Sequence, residues 1–284
     1  IKDKIITFVV VKLLRKILFP FTPLYYVVVF LRNKLYDWSF FKSTSYEFPL
    51  ICVGNLSVGG TGKTPMVEYL VSFLKRKYKV ATLSRGYGRV SKGFVIADLQ
   101  STAQDIGDEP FQLFKKFKDI SVAVDADRLN GLDLLKKSKP SIEVVLLDDA
   151  FQHRKVSAGF NILLTAYDQI YCHDYVLPTG NLREPKSGAK RAEAIVVTKS
   201  PESLSQEHKF NIIEQLNPES NQEVFFSSIY YSDVLISLTS SRSVADLKAV
   251  RFTLVTGIAN PAPLVTHLKS IGLDFDHLEF KDHH

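Results

Sequence analysis

Apolar residues along this chain fall into two alternating patterns: short strand-like runs in which they predominate, and stretches in which they recur at helical spacing. The short runs are 50–53, 79–84, 120–124, 143–147, 160–164 and 194–198, and each is predicted to be a buried strand. Helical stretches fall between them, as in Met66, Val67, Leu70, Val71 and Leu74. Such alternation predicts an α/β fold with a mostly parallel sheet sandwiched by helices. The polar stretch 200–222 reads as a surface helix with loops. From about Val224 a smaller second unit is expected, with a strand at 251–256 and a helix at 263–271. The chain is thereby divided into 1–42, 43–223 and 224–284.

Residues 1–42 break the alternation. Ile5, Ile6, Val9, Val10, Leu13, Leu14, Ile17 and Leu18 share one helical face, with Lys12, Arg15 and Lys16 opposite. A second apolar run, 24–31, follows Pro20 and Pro23. Neither run reaches the roughly 20 apolar residues that a spanning helix needs, and no small-residue cleavage site marks a signal peptide. Charge sharpens the picture: this segment holds eight Lys and Arg against two Asp, which accounts for the whole net charge of +6. A basic, amphipathic helical segment of this kind is expected to lie in a membrane interface, drawn to anionic headgroups. The alternatives are a helix pair packed on the protein's own core, or one face given to each. With no basic excess left in the body, nucleic-acid binding is not expected. Two cysteines, Cys52 and Cys172, suit a reducing compartment and offer neither a disulfide framework nor zinc spacing.

The chemistry begins between the first buried strand and the helix after it. Gly54 to Thr64 reads as a phosphate-binding loop, in which Ser57, Val58, Gly59, Gly60, Thr61 and Gly62 supply backbone N–H groups at a helix N-terminus. Lys63 is expected to reach the β- and γ-phosphates, and the Thr64 hydroxyl to bind Mg²⁺. The general motif has glycine where this chain has Ser57. Polar clusters follow other strands, where open parallel sheets bind ligands. Asp148 and Asp149 end the run 143–147, where a phosphate-loop enzyme holds Mg²⁺; a helix-capping turn would look the same. Asp108 and Glu109 stand before another helix, and Asp108 is a candidate base for a hydroxyl acceptor, or an ordinary cap. Arg85, Arg128 and Arg183 suit phosphate binding, or structural ion pairs. From the residues alone, a soluble small-metabolite kinase and a nucleotide-switched membrane-binding ATPase both remain open.

Taken together, VGNLSVGGTGKTP (53–65), LSRGYGR (83–89), GDEP (107–110), DADR (125–128), LDDAFQHR (147–154), PTGNLREP (178–185), TGIANP (256–261) and the terminal DHH (282–284) resemble the tetraacyldisaccharide 4'-kinase family, the lipid A kinase of Gram-negative bacteria. Ser57 is itself a feature of that family's loop. The resemblance implies two α/β/α units joined by a short β linker, with ATP in the cleft. It implies ATP-dependent phosphorylation of the 4'-hydroxyl of a glucosamine disaccharide 1-phosphate at the cytoplasmic face of the inner membrane. It casts Asp108 as the catalytic carboxylate, assisted by His283 or His284, and gives Asp148 and Asp149 to magnesium. Asn55, Arg85, Glu109, Arg128, Gln152, His153, Arg183 and Glu184 would line or support the nucleotide or lipid site. It further implies that the unit 224–284 is truncated.

Overall fold

The computed structural model describes residues 15, 17–237, 240–258 and 260–280, and the chain divides into two compact units after Ser228. In the first unit, helix α1 (Thr22–Asp37) leads to β1 (Leu50–Asn55), α2 (Lys63–Leu74), β2 (Val80–Ser84) and the short β3 (Val95–Ile96). Helices α3 (Ala103–Ile106) and α4 (Asp108–Lys116) follow, then β4 (Ser121–Val124), α5 (Arg128–Ser138) and β5 (Val144–Asp148). The unit ends with β6 (Phe160–Ala166), β7 (Ala194–Thr198), α6 (Gln206–Leu216) and β8 (Glu223–Phe226).

These strands form one sheet in the order β3-β4-β2-β5-β1-β6-β7-β8, parallel except for β3 against β4. Helices on both faces explain why the strands read as continuous apolar runs. Leu146 and Leu147, neighbours in β5, belong to opposite cores: Leu146 packs with Val53, Ile162 and Val196, and Leu147 with Cys52, Leu83 and Ile195. All six expected strands form. β3 is two residues long, too short for any periodicity. β8 carries an exposed phenylalanine, Phe225, and pairs in parallel with β7. The boundary expected at 223/224 therefore cuts through a strand of the large sheet. It moves to Ser228, because pairing with β7 decides which unit the segment joins.

Helix α1 is amphipathic in an inverted sense. Its buried residues are Thr22 and Asn33, and Tyr25 and Arg32 also bond inward, to Arg183 O and Gln152 O. The outward face is apolar: Leu24 is 64%, Val28 58% and Leu31 50% exposed. Tyr25 also packs against the core of the first unit, so α1 gives one face to the protein, as one of the readings of 1–42 has it. The first amphipathic run, centred on 5–14, lies outside the described residues. Among the described residues no helix is long and apolar enough to cross a membrane.

The second unit contains an antiparallel pair, β9 (Val234–Ile236) with β10 (Ser241–Ser243), and a β-α-β arrangement. The latter comprises β11 (Phe252–Thr256), α7 (Ala262–Ser270) and β12 (Phe275–Glu279), with β11 and β12 parallel and Phe252 stacked on Phe275 at 5.4 Å.

Candidate active site

β1 delivers the chain to the middle of the sheet edge, and the loop after it turns directly into α2. Gly62 makes that turn with φ +84°, left-handed backbone that a side chain would strain. Asn55 is fully buried and closes the loop from within: its Nδ2 donates to Thr61 Oγ1 at 2.8 Å. Its Oδ1 accepts from Arg183 and faces Lys63 Nζ at 3.4 Å. From outside, Val58 N donates to Asn181 O at 2.8 Å and Arg183 N to Leu56 O at 2.7 Å. The loop is thus held on both sides before any ligand arrives, while Val58, Gly59 and Gly60 remain exposed.

Beside β1, β5 ends in the two aspartates, and their environments push them apart. Asp148 is buried; burial, and next the neighbouring Asp149 carboxylate, push its pKa up to about 6. Its Oδ1 has no hydrogen-bond partner among the described residues. Asp149 sits in left-handed backbone at φ +50°. Burial pushes it up too, but Lys63 and the Arg183 guanidinium outweigh that and hold it below the usual carboxylate range. Lys63 Nζ lies 3.6 Å from Asp149, and Arg183 forks onto both its oxygens at 2.9 and 3.2 Å. A buried carboxylate oxygen with no donor among the described residues, on a side chain close enough to Lys63 to feel its charge, fits a hard divalent cation.

Asp108 and Glu109 open α4 after Gly107, whose φ of +94° and close approach to Tyr87 O leave no space for a side chain. The 107–110 turn is thereby packed against the 84–89 loop. Asp108 is exposed, and Glu109 is near enough to contribute to the raised pKa of Asp148. Arg85 is exposed at the end of β2.

Four of the expected site residues make contacts with the protein around the loop and the aspartate turn. Arg128 is buried, and its guanidinium donates to the carbonyls of Asp125, Ala126 and Asp149. It braces the aspartate turn. Glu184 is 1% exposed and accepts from Asn33, Gln152 and Arg191. Gln152 also donates to Asn55 O at 2.8 Å, so the pair sits behind the phosphate loop. Half-buried His153 lies 3.5 Å from Asp127; burial, then the Arg128 charge, lower its pKa. His283 and His284 lie outside the described residues. Three residues the sequence reading passes over touch the loop: Asn181, Thr198 and Lys199. Thr198 and Lys199 have position as their sequence signal, at the end of a parallel strand, whereas Asn181 falls within the 178–185 motif.

A parallel α/β sheet whose central strand feeds a glycine loop, with the loop lysine facing strand-end carboxylates, defines a phosphate-loop nucleotide-binding protein. Comparison with known proteins narrows this class. The model of the Tetraacyldisaccharide-1-P 4'-kinase family matches residues 14–284. The Tetraacyldisaccharide 4'-kinase of Flavobacterium johnsoniae is 52% identical over 272 residues, covering 96% of this chain and 79% of that protein. That of Bacteroides thetaiotaomicron is 48% identical, covering 95% and 74%. Among solved structures, the "apo" form of LpxK from Aquifex aeolicus in complex with ATP superimposes with a TM-score of 0.79 at 36% identity, covering 95% of this chain and 83% of that one. The chain belongs to the tetraacyldisaccharide-1-P 4'-kinase family.

Proposed function

We propose that this protein transfers the γ-phosphate of ATP to the 4'-hydroxyl of a tetraacyl glucosamine disaccharide 1-phosphate, forming the 4'-phosphate of the lipid A precursor. The observation that carries this reading is Lys63 held between Asn55 and Asp149 at the mouth of the phosphate loop, in a chain of this family.

Each group has a part in that transfer. Loop N–H groups and Lys63 bind the β- and γ-phosphates and spread their charge. Mg²⁺ would be held by Thr64 and Asp148, with Asp149 alongside, and would neutralise charge on the phosphate oxygens. Asp108 takes the proton of the 4'-hydroxyl as that oxygen bonds to the γ-phosphorus and the bond to the β,γ-bridging oxygen breaks, releasing ADP. Either His283 or His284 assists. Arg85 meets the acceptor, and Arg183 fixes Asp149 against the loop.

The acceptor's acyl chains keep it in a bilayer, so the enzyme works at the cytoplasmic face of the inner membrane as a peripheral protein. The outward apolar face of α1, next to basic residues, supports that placement. Mass spectrometry of the acceptor after incubation with protein, ATP and Mg²⁺ tests the reaction. Gain of one phosphate at the 4' position is expected. An unmodified acceptor with ATP consumed would favour the ATPase reading, and phosphorylation of a water-soluble sugar alone the small-metabolite one.

A further inference from the structure

Residues 178–185 form a strap along the phosphate loop. Arg183 N donates to Leu56 O and Val58 N to Asn181 O, at 2.7 and 2.8 Å, and Ser57 pairs with Leu182 in an antiparallel bridge. The strap has little room to give. Leu182 is fully buried, and a side-chain carbon at Gly180 would lie 2.0 Å from Tyr175 O. A displacement of the strap is therefore passed to the loop.

The N-terminal segment holds the same strap. Tyr25 Oη donates to Arg183 O at 2.8 Å, the Thr22 and Thr179 hydroxyls bond to one another, and Arg15 donates to Asn181 Oδ1 at 2.9 Å. Asn181 and Arg183, which bond to the loop through their backbone, thus bond to the N-terminal segment as well. Hydrogen bonds of this kind are individually worth little net. In water they must hold a helix whose other face, with Leu24, Val28 and Leu31, is apolar and exposed. Tyr25, Arg32 and Asn33 keep their protein partners only while α1 is docked. A lipid interface that takes up the apolar face leaves those partners in place, and so stabilises the docked arrangement.

We propose that α1 positions the phosphate loop: Thr22 and Tyr25 act through the 178–185 strap, so that seating the apolar face on a lipid surface raises the loop's affinity for nucleotide. This rests on the interfacial and nucleotide-binding readings above, and adds the route that couples them.

The test measures nucleotide affinity of the full chain by calorimetry, using the β,γ-imido analogue of ATP with Mg²⁺ and no acceptor. Titrations in buffer are compared with titrations in phosphatidylcholine–phosphatidylglycerol vesicles. Vesicles are expected to tighten nucleotide binding to wild type about fivefold, or ~1 kcal/mol. Nucleotide must then tighten vesicle binding by the same factor, because coupling between two sites is reciprocal. Thr22→Val combined with Tyr25→Phe removes both hydroxyls and keeps the side-chain volume and the outward apolar face. That variant is expected to bind vesicles, and nucleotide in buffer, as wild type does, yet to lose the vesicle effect. Thr22→Ser, which retains the hydroxyl, retains the effect. A nucleotide affinity lowered equally with and without vesicles would make the two hydroxyls merely structural and overturn the proposal. Vesicle binding by wild type with no change in nucleotide affinity, or full coupling in the double variant, would overturn it too. Wild type that binds no vesicles would reject the interfacial reading itself, and wild type that binds vesicles but no nucleotide would reject the nucleotide reading.

Discussion

Asn33 of α1 donates its side-chain amide to Glu184 at 2.8 Å, linking the helix with the outward apolar face to a carboxylate that is 1% exposed. Glu184 directly follows Arg183, whose guanidinium forks onto Asp149. One buried polar junction therefore joins α1 to the residues that position the phosphate loop. Asn33→Leu keeps the volume and removes a donor from a buried charge. It is expected to cost about 1–3 kcal/mol, read from denaturant unfolding. Arg191→Met, which removes the ion-pair partner of Glu184 at 2.9 Å, should cost more, about 3–5 kcal/mol.

Arg183 makes two parallel bonds to Asp149 and a third, at 3.3 Å, to Ser57 O. A lysine cannot reproduce that planar fork. Arg183→Lys is expected to lower kcat by about tenfold or more, equivalent to ~1.4 kcal/mol of barrier, with a smaller change in KM for ATP. Steady-state kinetics at saturating acceptor check this; wild-type kcat in the variant would show that charge alone suffices there.

The raised pKa of Asp148 has a definite sign for stability. Its folded value of about 6 lies above the ordinary 3.8. Between the two, the folded state holds a proton that the unfolded chain has released, so stability falls as pH rises through that window. In metal-free buffer, Asp148→Asn is expected to flatten this part of the Tm–pH profile. Mg²⁺ favours the ionised carboxylate and should raise the wild-type Tm most above pH about 6. Parallel profiles for wild type and variant would contradict the assignment.

Leu24, Val28 and Leu31 form the outward stripe of α1 and make none of its hydrogen bonds to the loop residues. Replacing all three with glutamate should abolish binding to vesicles containing anionic lipid and leave ATP affinity unchanged. Co-sedimentation with vesicles and calorimetry separate the two effects. Undiminished vesicle binding would assign the interface to another part of the chain.

The sheet was legible because strands buried on both faces are apolar along most of their length, as 144–147 and 194–197 are. β8 was not, since an edge strand with Phe225 exposed reads like linker, and only its pairing with β7 places it. The phosphate loop and Asp148–Asp149 were readable from local order in the sequence. The inward roles of Arg128 and Glu184 were not. An arginine after a strand reads as a ligand group, and its partners here are carbonyls of three residues, one of them 21 positions away. Lys199 escaped notice for a similar reason: its partner, Gly60, is 139 residues distant.

The central claim is that this loop passes phosphate to a lipid hydroxyl and not to water. Radiolabelled γ-phosphate, supplied as ATP with purified disaccharide 1-phosphate acceptor in mixed micelles, measures that partition directly. Wild type is expected to move label into the lipid phase, and Asp108→Ala to lose about 10²-fold or more of that transfer. Label recovered only as inorganic phosphate from wild type, or undiminished lipid labelling by Asp108→Ala, would contradict the account.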